Sequence, residues 1–176
     1  MIRKLLQHFI LPTLITVAII YFALRGIDSG VKDSMIASFG NVRSHAPNLA
    51  LVMLQPTAIQ IHLTAALLAF ILGLVQILGP KGKMPHRILG WVWVGLMLVT
   101  AISSFFIKSI NPGHFSLIHA LSGWTVVVAP MVIYWARKHD IKRHRSTAIG
   151  LFMGGLIIAG AFTFLPGRLM WRVFFG

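Results

Sequence analysis

The sequence of 176 residues has no cysteine, little charge and only three acidic residues. The absence of cysteine excludes disulfides, iron–sulfur clusters, thiolate ligands and covalent haem attachment of the C-x-x-C-H type. Charged residues make up 11% of the chain, whereas soluble domains carry about a quarter. A chain with so little charge cannot cover a surface that faces water. We therefore expect an integral membrane protein in contact with the lipid bilayer.

The acidic residues, Asp28, Asp33 and Asp140, all lie outside the apolar runs. Proton-coupled carriers usually place ionisable groups near the middle of the membrane, so a transporter or proton path is a weaker interpretation. The sequence also shows no nucleophile, acid–base pair or phosphate loop for catalysis of the soluble type. The net charge of +13 comes from basic clusters between apolar runs. Because no basic face is interleaved with exposed aromatics, we expect no nucleic-acid binding.

Hydrophobic residues are abundant: they form 57% of the chain, and the mean hydropathy is +0.83. Five apolar segments have the length of about 20 residues that a helix needs to cross a bilayer. Short connections rich in Gly, Pro and basic residues join the last four segments, which forces neighbouring helices to run antiparallel. The predicted fold is an all-α membrane protein of about five transmembrane helices, the last four forming an antiparallel up-down bundle. The expected spans are about Leu5–Leu24, Thr57–Leu78, His86–Ile107, Ser116–Trp135 and His144–Leu165.

The chain divides near Pro56 into two parts. Residues 1–56 are expected to form an N-terminal transmembrane helix and an extracytoplasmic loop with one short interfacial helix near Leu49–Leu54. Residues 57–176 are expected to form the four-helix transmembrane core. The start of the chain is also similar to a signal peptide, but it lacks a convincing small-x-small cleavage site, which favours an uncleaved helix.

Counts of lysine and arginine predict the orientation, because cytoplasmic loops of membrane proteins carry an excess of these residues. Six basic residues fall on one side of the predicted spans and ten on the other. The richer side is assigned to the cytoplasm of a bacterial inner membrane, which puts the amino terminus in the cytoplasm. Its members are Arg3, Lys4, Lys81, Lys83, Arg87, Arg137, Lys138, Lys142, Arg143 and Arg145.

Each of the last four predicted spans carries one histidine in or near its first turns. Because the helices alternate in direction, we expect His62 and His119 at the outer level of the bundle and His86 and His144 at the inner level. A b-type haem takes two axial imidazoles from facing helices. Two such pairs, on the order of 20 Å apart from the rise of a helix, would form an electron path across the membrane. The pattern predicts two haem b sites, with these histidines as ligands to the haem iron.

The residue four positions after each of these histidines is small, and an i+4 neighbour lies on the same face of a helix. Small side chains there would let a flat macrocycle approach the helix. Close packing of membrane helices uses the same residue types, so both interpretations stay open. The residues are Ala66, Gly90, Gly123 and Ala148, and the faces continue with Ala69, Gly73, Gly155 and Ala159.

Two arginines are predicted to bind anionic haem propionates, which pair well with guanidinium groups. Arg87 follows His86 at the inner level, where the basic bias of cytoplasmic loops also explains it. Arg168 is more informative, because that bias does not call for arginine outside. The Pro166–Gly167 break is expected to return Arg168 toward the outer site.

The other histidines are interpreted as loop or interface residues. His114 is the closest of them to a ligand position, since it lies five residues before His119. Methionine is a weaker alternative ligand, because Met in membrane helices more often serves packing. The four histidines are His8, His45, His114 and His139, and the three methionines are Met97, Met131 and Met153.

Three runs of residues carry a resemblance to a known family. They are His86-Arg87-Ile88-Leu89-Gly90, Ile118-His119-Ala120-Leu121-Ser122-Gly123 and Ala159–Arg168. Together they resemble a bacterial family of predicted multi-pass membrane proteins of unknown function, over about two-thirds of the chain. More loosely, the helix and histidine layout resembles the cytochrome b(561)-type two-haem four-helix superfamily. That resemblance implies an outer haem on His62 and His119 and an inner haem on His86 and His144. The chain departs from the superfamily in one respect: His86 and His144 lie very close to the inner loops, so an inner haem would be unusually shallow.

Two functional hypotheses follow. The first is a di-haem b-type membrane electron carrier, an oxidoreductase or electron-transfer subunit that passes electrons across the bilayer between a quinone or quinol and a partner. The second is a cofactor-free accessory subunit of a larger membrane complex, whose helices contact other membrane subunits. In the second case the histidines would bond to backbone or lipid groups.

Overall fold

A computed structural model describes residues 29–40, 42, 45–107 and 117–175. Over these ranges the regular secondary structure is helical and no strand forms. The first predicted span, Leu5–Leu24, lies outside the described residues. The helices are α1 (Ser29–Gly40), α2 (Ala50–Met53), α3 (Thr57–Leu78), α4 (Met84–Ser104), α5 (Leu117–Arg137), α6 (Ile141–Phe162) and α7 (Leu169–Phe174).

Four of these helices, α3 to α6, are long and apolar enough to cross a membrane. The all-α fold with a four-helix core is therefore confirmed, and the bounds of α3 match the prediction at both ends. Helix α6 begins at Ile141, three residues before the predicted start, because Asp140 caps it: the Asp140 carboxylate accepts a hydrogen bond from the Arg143 backbone N–H at 2.9 Å.

Hydrogen bonds between α3 and α4 fix their antiparallel register. Near the end of α3, Gln76 Nε2 donates to the backbone carbonyl of His86 in the first turn of α4, at 3.0 Å. Near the start of α3, His62 Nδ1 lies 2.8 Å from the carbonyl of Thr100 in the last part of α4. The two helices therefore run alongside each other over most of their length.

In the core of the bundle, large side chains of one helix pack against small residues of another. Trp93 Nε1 donates to the carbonyl of Ala69 at 2.9 Å, which satisfies a buried donor in an apolar setting. A Cβ added at Gly73 would lie 2.5 Å from Phe152 Cδ2 and 2.9 Å from Trp93 Nε1. Small residues such as Gly73 could either leave space for a macrocycle or allow close packing of helices. These contacts show that Gly73 serves helix packing. The buried core residues are Ala69, Trp93, Val94, Met97, Ala129, Val132, Leu151, Phe152 and Leu156.

Helix α6 is interrupted by a π-helical turn over Met153–Ile158, between α-helical Ile141–Phe152 and Ala159–Phe162. The sequence predicts one continuous span here, because hydropathy does not register the change of hydrogen-bonding pattern. The turn contains the Gly154–Gly155 pair, and adjacent small residues are a common place for a helix to deform. A Cβ at Gly155 would lie 3.3 Å from Met97 Cε, so the glycine also lets α6 approach α4.

Most of the spanning surface faces outward. At most 33% of the residues in the most apolar window of each span are buried within the chain. The exposed side of α3 carries Leu67, Leu68 and Ile71, each about half exposed. In water such a surface would be unstable, and its contact is therefore with lipid.

The segment before the bundle contains more helix than predicted. Helix α2 falls where one interfacial helix is expected, whereas α1 is not predicted, because Gly30 and Gly40 suggest breaks. Both glycines lie in the terminal turns of α1, where they do not interrupt it. The backbone of this segment meets the last helix: Asn48 N–H donates to the carbonyl of Val173 at 2.9 Å.

Candidate functional site

The antiparallel bundle has two ends, each with two of the candidate histidines. The His62 end contains the amino-terminal turns of α3 and α5, with His62 and His119. The His86 end contains the amino-terminal turns of α4 and α6, with His86 and His144. The two levels expected from the alternation of helix direction are therefore present.

At the His86 end the structure brings two histidines together. The ring centroids of His86 and His144 are 6.3 Å apart, and the ring planes make an angle of 80°. Both residues are half-buried. Two imidazoles from helices that are not consecutive in the chain thus share one small region.

The ring of His144 is oriented by a backbone group of the neighbouring helix. Its Nδ1 lies 2.9 Å from the carbonyl oxygen of Val132 in α5. A carbonyl can only accept a hydrogen bond, so Nδ1 carries the proton and donates it. In the neutral ring, Nε2 then holds the lone pair, which is the state that a metal ligand needs.

The ring of His62, at the other end, is held in the same way. Its Nδ1 donates to the carbonyl of Thr100 at 2.8 Å, and the Ser103 hydroxyl oxygen lies 3.4 Å from the same nitrogen. Ser103 in turn donates to the carbonyl of Thr100 at 3.0 Å. The lone pair of neutral His62 is therefore also on Nε2.

His119 is the most deeply buried of the four histidines at 5% exposure. Its ring centroid lies 6.2 Å from that of Phe105, directly after the end of α4. His62 and His119 therefore both pack against the carboxyl-terminal end of α4.

Buried hydroxyl groups lie near the His62 end, and the spacing of the histidines does not predict them. The Ser104 and Ser122 hydroxyls join α4 to α5 through a hydrogen bond of 2.5 Å. The sequence does contain a signal for these groups, because three hydroxyl residues fall within Thr100–Ser104 in an otherwise apolar span. The buried hydroxyl residues are Thr100, Ser103, Ser104, Ser122 and Thr125.

The predicted propionate partners lie at the expected ends but in different settings. Arg87 is exposed in the first turn of α4. Arg168 lies at the His62 end, after Gly167 turns the chain with a φ of +82°. Its guanidinium carbon is 4.9 Å from the centroid of the Phe162 ring, and burial lowers its pKa. An arginine in this position keeps its charge, since its ordinary pKa is far above neutrality.

The four small residues that lie one turn after the histidines differ in how much free space surrounds them. Ala66 and Ala148 pack against the core, and a Cβ at Gly90 would lie 3.2 Å from Gln76 Nε2. At Gly123, one turn after His119, an added Cβ would meet nothing within 4 Å. The small residues therefore serve packing at most of these positions and leave room at Gly123.

The remaining candidates occupy ordinary environments where they are described. His45 and His139 are exposed, and His139 adopts a φ of 55° in the turn before α6. Met97 is buried in the core, Met153 packs against it and Met131 is exposed. His8 and His114 lie outside the described residues.

The described ranges contain no group of three or more His, Cys, Asp or Glu side chains placed to hold one metal ion. A zinc site of the structural type, with four such ligands, is therefore not formed by that part of the chain. Pairs of histidines suit a metal whose remaining ligands come from a macrocycle.

Comparison with known proteins supplies a family. No curated protein and no solved structure matches the chain, so the looser resemblance to the cytochrome b(561)-type superfamily gains nothing from these comparisons. The family model described as "Predicted membrane protein (DUF2306)" matches residues 59–173. That range is about two-thirds of the chain and includes all four candidate histidines. The chain therefore belongs to the DUF2306 family of membrane proteins.

Proposed function

We propose that this protein is a b-type haem protein that passes electrons across the bilayer, with two haems each held by a pair of histidines. The observation that carries the proposal is the His86–His144 pair, whose ring centroids are 6.3 Å apart. If two imidazoles bound the same metal ion through Nε2, each at about 2 Å, their ring centroids would lie about 6 Å apart. The separation of the two rings therefore matches that of two imidazoles that would hold one iron between them.

The orientation of the rings is a second, independent support. Metal-binding histidines almost always donate their other ring N–H to a backbone carbonyl, a carboxylate or water. His144 does so to Val132 and His62 to Thr100. One histidine at each end of the bundle thus has its ring fixed and its Nε2 lone pair available.

The surroundings of the rings also suit haem. When bound, haem supplies a one-electron donor and acceptor. The protein would hold the imidazoles, exclude water with its apolar spans, and offer Arg87 and Arg168 to the propionates. A quinone or quinol and a further redox partner would exchange electrons with the two ends.

We place the His86 end at the cytoplasmic face of a bacterial inner membrane, with the amino terminus on the same side. Basic residues concentrate at this end, as the positive-inside rule requires of cytoplasmic loops. Those within the described ranges are Lys81, Lys83, Arg87, Arg137, Lys138, Lys142, Arg143 and Arg145.

Visible spectroscopy of the purified full chain tests this function. We expect the dithionite-reduced protein to show the α-band of a b-type haem, which the oxidised protein lacks. A protein expressed with an ample haem supply that shows no such band would contradict the proposal.

The packing of Gly73 favours a second candidate, a cofactor-free accessory subunit of a larger membrane complex. Phe152 and Trp93 already fill the space beside Gly73, and the outward apolar faces are available to other subunits. In that case a His62→Ala variant would assemble with its partners as the native chain does. A haem protein would instead lose cofactor from the same variant.

A further inference from the structure

A cavity of about 550 Å³ lies at the corner between α5 and α6, on the His86 end of the bundle. We call it the corner pocket. Its lining residues are Trp135, Asp140, Lys142, Arg143, Ser146 and Thr147. The electron-transfer proposal uses none of these side chains.

The charge of the corner pocket suits an anion. Among the described residues that line it, the one carboxylate is that of Asp140, and Arg143 engages it: one carboxylate oxygen lies 3.3 Å from Arg143 Nε, and the other accepts the Arg143 backbone N–H. Lys142 adds a second cation, and Ser146 and Thr147 add two hydroxyl donors. The lining of the pocket therefore carries a net positive charge and offers hydrogen-bond donors to an anion.

The depth of the corner pocket is that of lipid headgroups. Trp135 lies two residues before the end of the α5 span, and Ser146 and Thr147 lie in the second turn of the α6 span. Tryptophan and tyrosine are enriched at the boundary between hydrocarbon and water. The pocket therefore straddles this boundary and does not lie deep in either phase.

Cation–π contacts between basic side chains and aromatic rings lie at the same boundary. The guanidinium carbon of Arg143 lies 4.6 Å from the Trp135 ring centroid. Lys138 Nζ lies 6.0 Å from the ring of Tyr134, and Arg137 lies 5.6 Å from that of Trp91. Such pairs hold basic side chains at the level of lipid phosphates.

The corner pocket faces away from the histidine pair. On α6 it uses Lys142, Arg143, Ser146 and Thr147, whereas His144 bonds to Val132 in α5 and Leu151 is fully buried in the core. The two sets of residues lie on different faces of one helix. An occupant of the pocket therefore approaches from the bilayer and does not contact the histidines.

We propose that the corner pocket binds the phosphate headgroup of an anionic phospholipid. Lys142 and Arg143 would neutralise the phosphate, Ser146 and Thr147 would donate hydrogen bonds to its oxygens, and Trp135 would pack beside the glycerol region. The proposal goes beyond electron transfer and does not depend on haem. Lipid, and not a soluble phosphate compound, is the expected source because the pocket lies at the level of the headgroups.

Lipid binding to the purified full chain in neutral detergent tests the proposal, with titration by phosphatidylglycerol or phosphatidylcholine and native mass spectrometry as the readout. We expect phosphatidylglycerol to bind more tightly. Lys142→Gln should weaken that binding about five-fold, the effect of one basic residue near an anionic headgroup. The control is Lys138→Gln, an exposed lysine of the same corner that does not line the pocket.

A second variant, Ser146→Ala with Thr147→Val, should lower the preference for phosphatidylglycerol without changing the charge. Equal binding of the two lipids, or equal effects of Lys142→Gln and Lys138→Gln, would overturn the proposal. Release of bound phosphatidylglycerol by millimolar inorganic phosphate would also overturn it, because the site would then be one for free phosphate. Lys142 is exposed, so its replacement leaves the packing of the bundle intact.

Discussion

Replacing Gly73 with alanine is expected to destabilise the bundle by about 1–3 kcal/mol, the usual cost of overpacking a filled core. The new Cβ would lie 2.5 Å from Phe152 Cδ2. Phe152 has little freedom to move away, because it is buried and its ring stacks on Phe70 with a centroid distance of 5.8 Å. Trp93 on the other side is tied to the carbonyl of Ala69. Thermal unfolding of the purified protein in detergent measures the effect.

Gly95→Ala is the matched control, because it makes the same change in α4 where an added Cβ meets nothing within 4 Å. We expect Gly95→Ala to keep or raise stability by up to about 1 kcal/mol, since alanine favours the helix over glycine. Combining Gly73→Ala with Phe152→Leu should recover part of the loss, because contacting residues couple. A Gly73→Ala protein as stable as the native chain would show that the α3–α6 contact is looser than described.

His144→Ala is expected to remove one of the two proposed haems and leave the other. The variant lacks one of the two imidazoles proposed to hold a haem at the His86 end, while His62 and His119 lie at the opposite end of the bundle. His86→Ala should produce the same loss, because the two rings are 6.3 Å apart and would serve one iron. The amplitude of the reduced α-band per protein measures the loss, and we expect it to fall to roughly half, as one of two bis-histidine haems disappears.

His45→Ala is the control for this experiment. His45 is exposed, and its ring Nδ1 lies 2.8 Å from the carbonyl of the adjacent Ala46. Its replacement should leave the α-band unchanged. The pairing would be wrong if His86→Ala and His144→Ala removed different haems, or if both left the spectrum of the native protein.

The spanning helices could be predicted from the sequence because they depend only on a long run of apolar residues. A run of about 20 apolar residues must span the bilayer as a helix, since lipid offers no partner for backbone groups. The bounds of α3 at Thr57 and Leu78 follow from this run and from the residues that flank it, Pro56 and Gly79. The two levels of histidines follow as well, because short connections force alternate directions.

The contacts of the histidines were not predictable, because they depend on the rotation of each helix about its axis. Hydropathy does not fix that rotation in a chain that is apolar on every face. The bond of His62 to Thr100 and the position of His119 beside Phe105 are consequences of packing. Gly73 was ambiguous for the same reason, since only the position of Phe152 on another helix shows what fills the space.

The haem-to-protein ratio of the purified full chain tests the central claim most directly. Haem extracted from a known amount of protein and quantified by its pyridine complex gives the number of haems per chain. Paired ligation by His62 with His119 and by His86 with His144 predicts two. A chain that folds, stays in detergent solution and contains no haem would contradict the account and favour the accessory subunit.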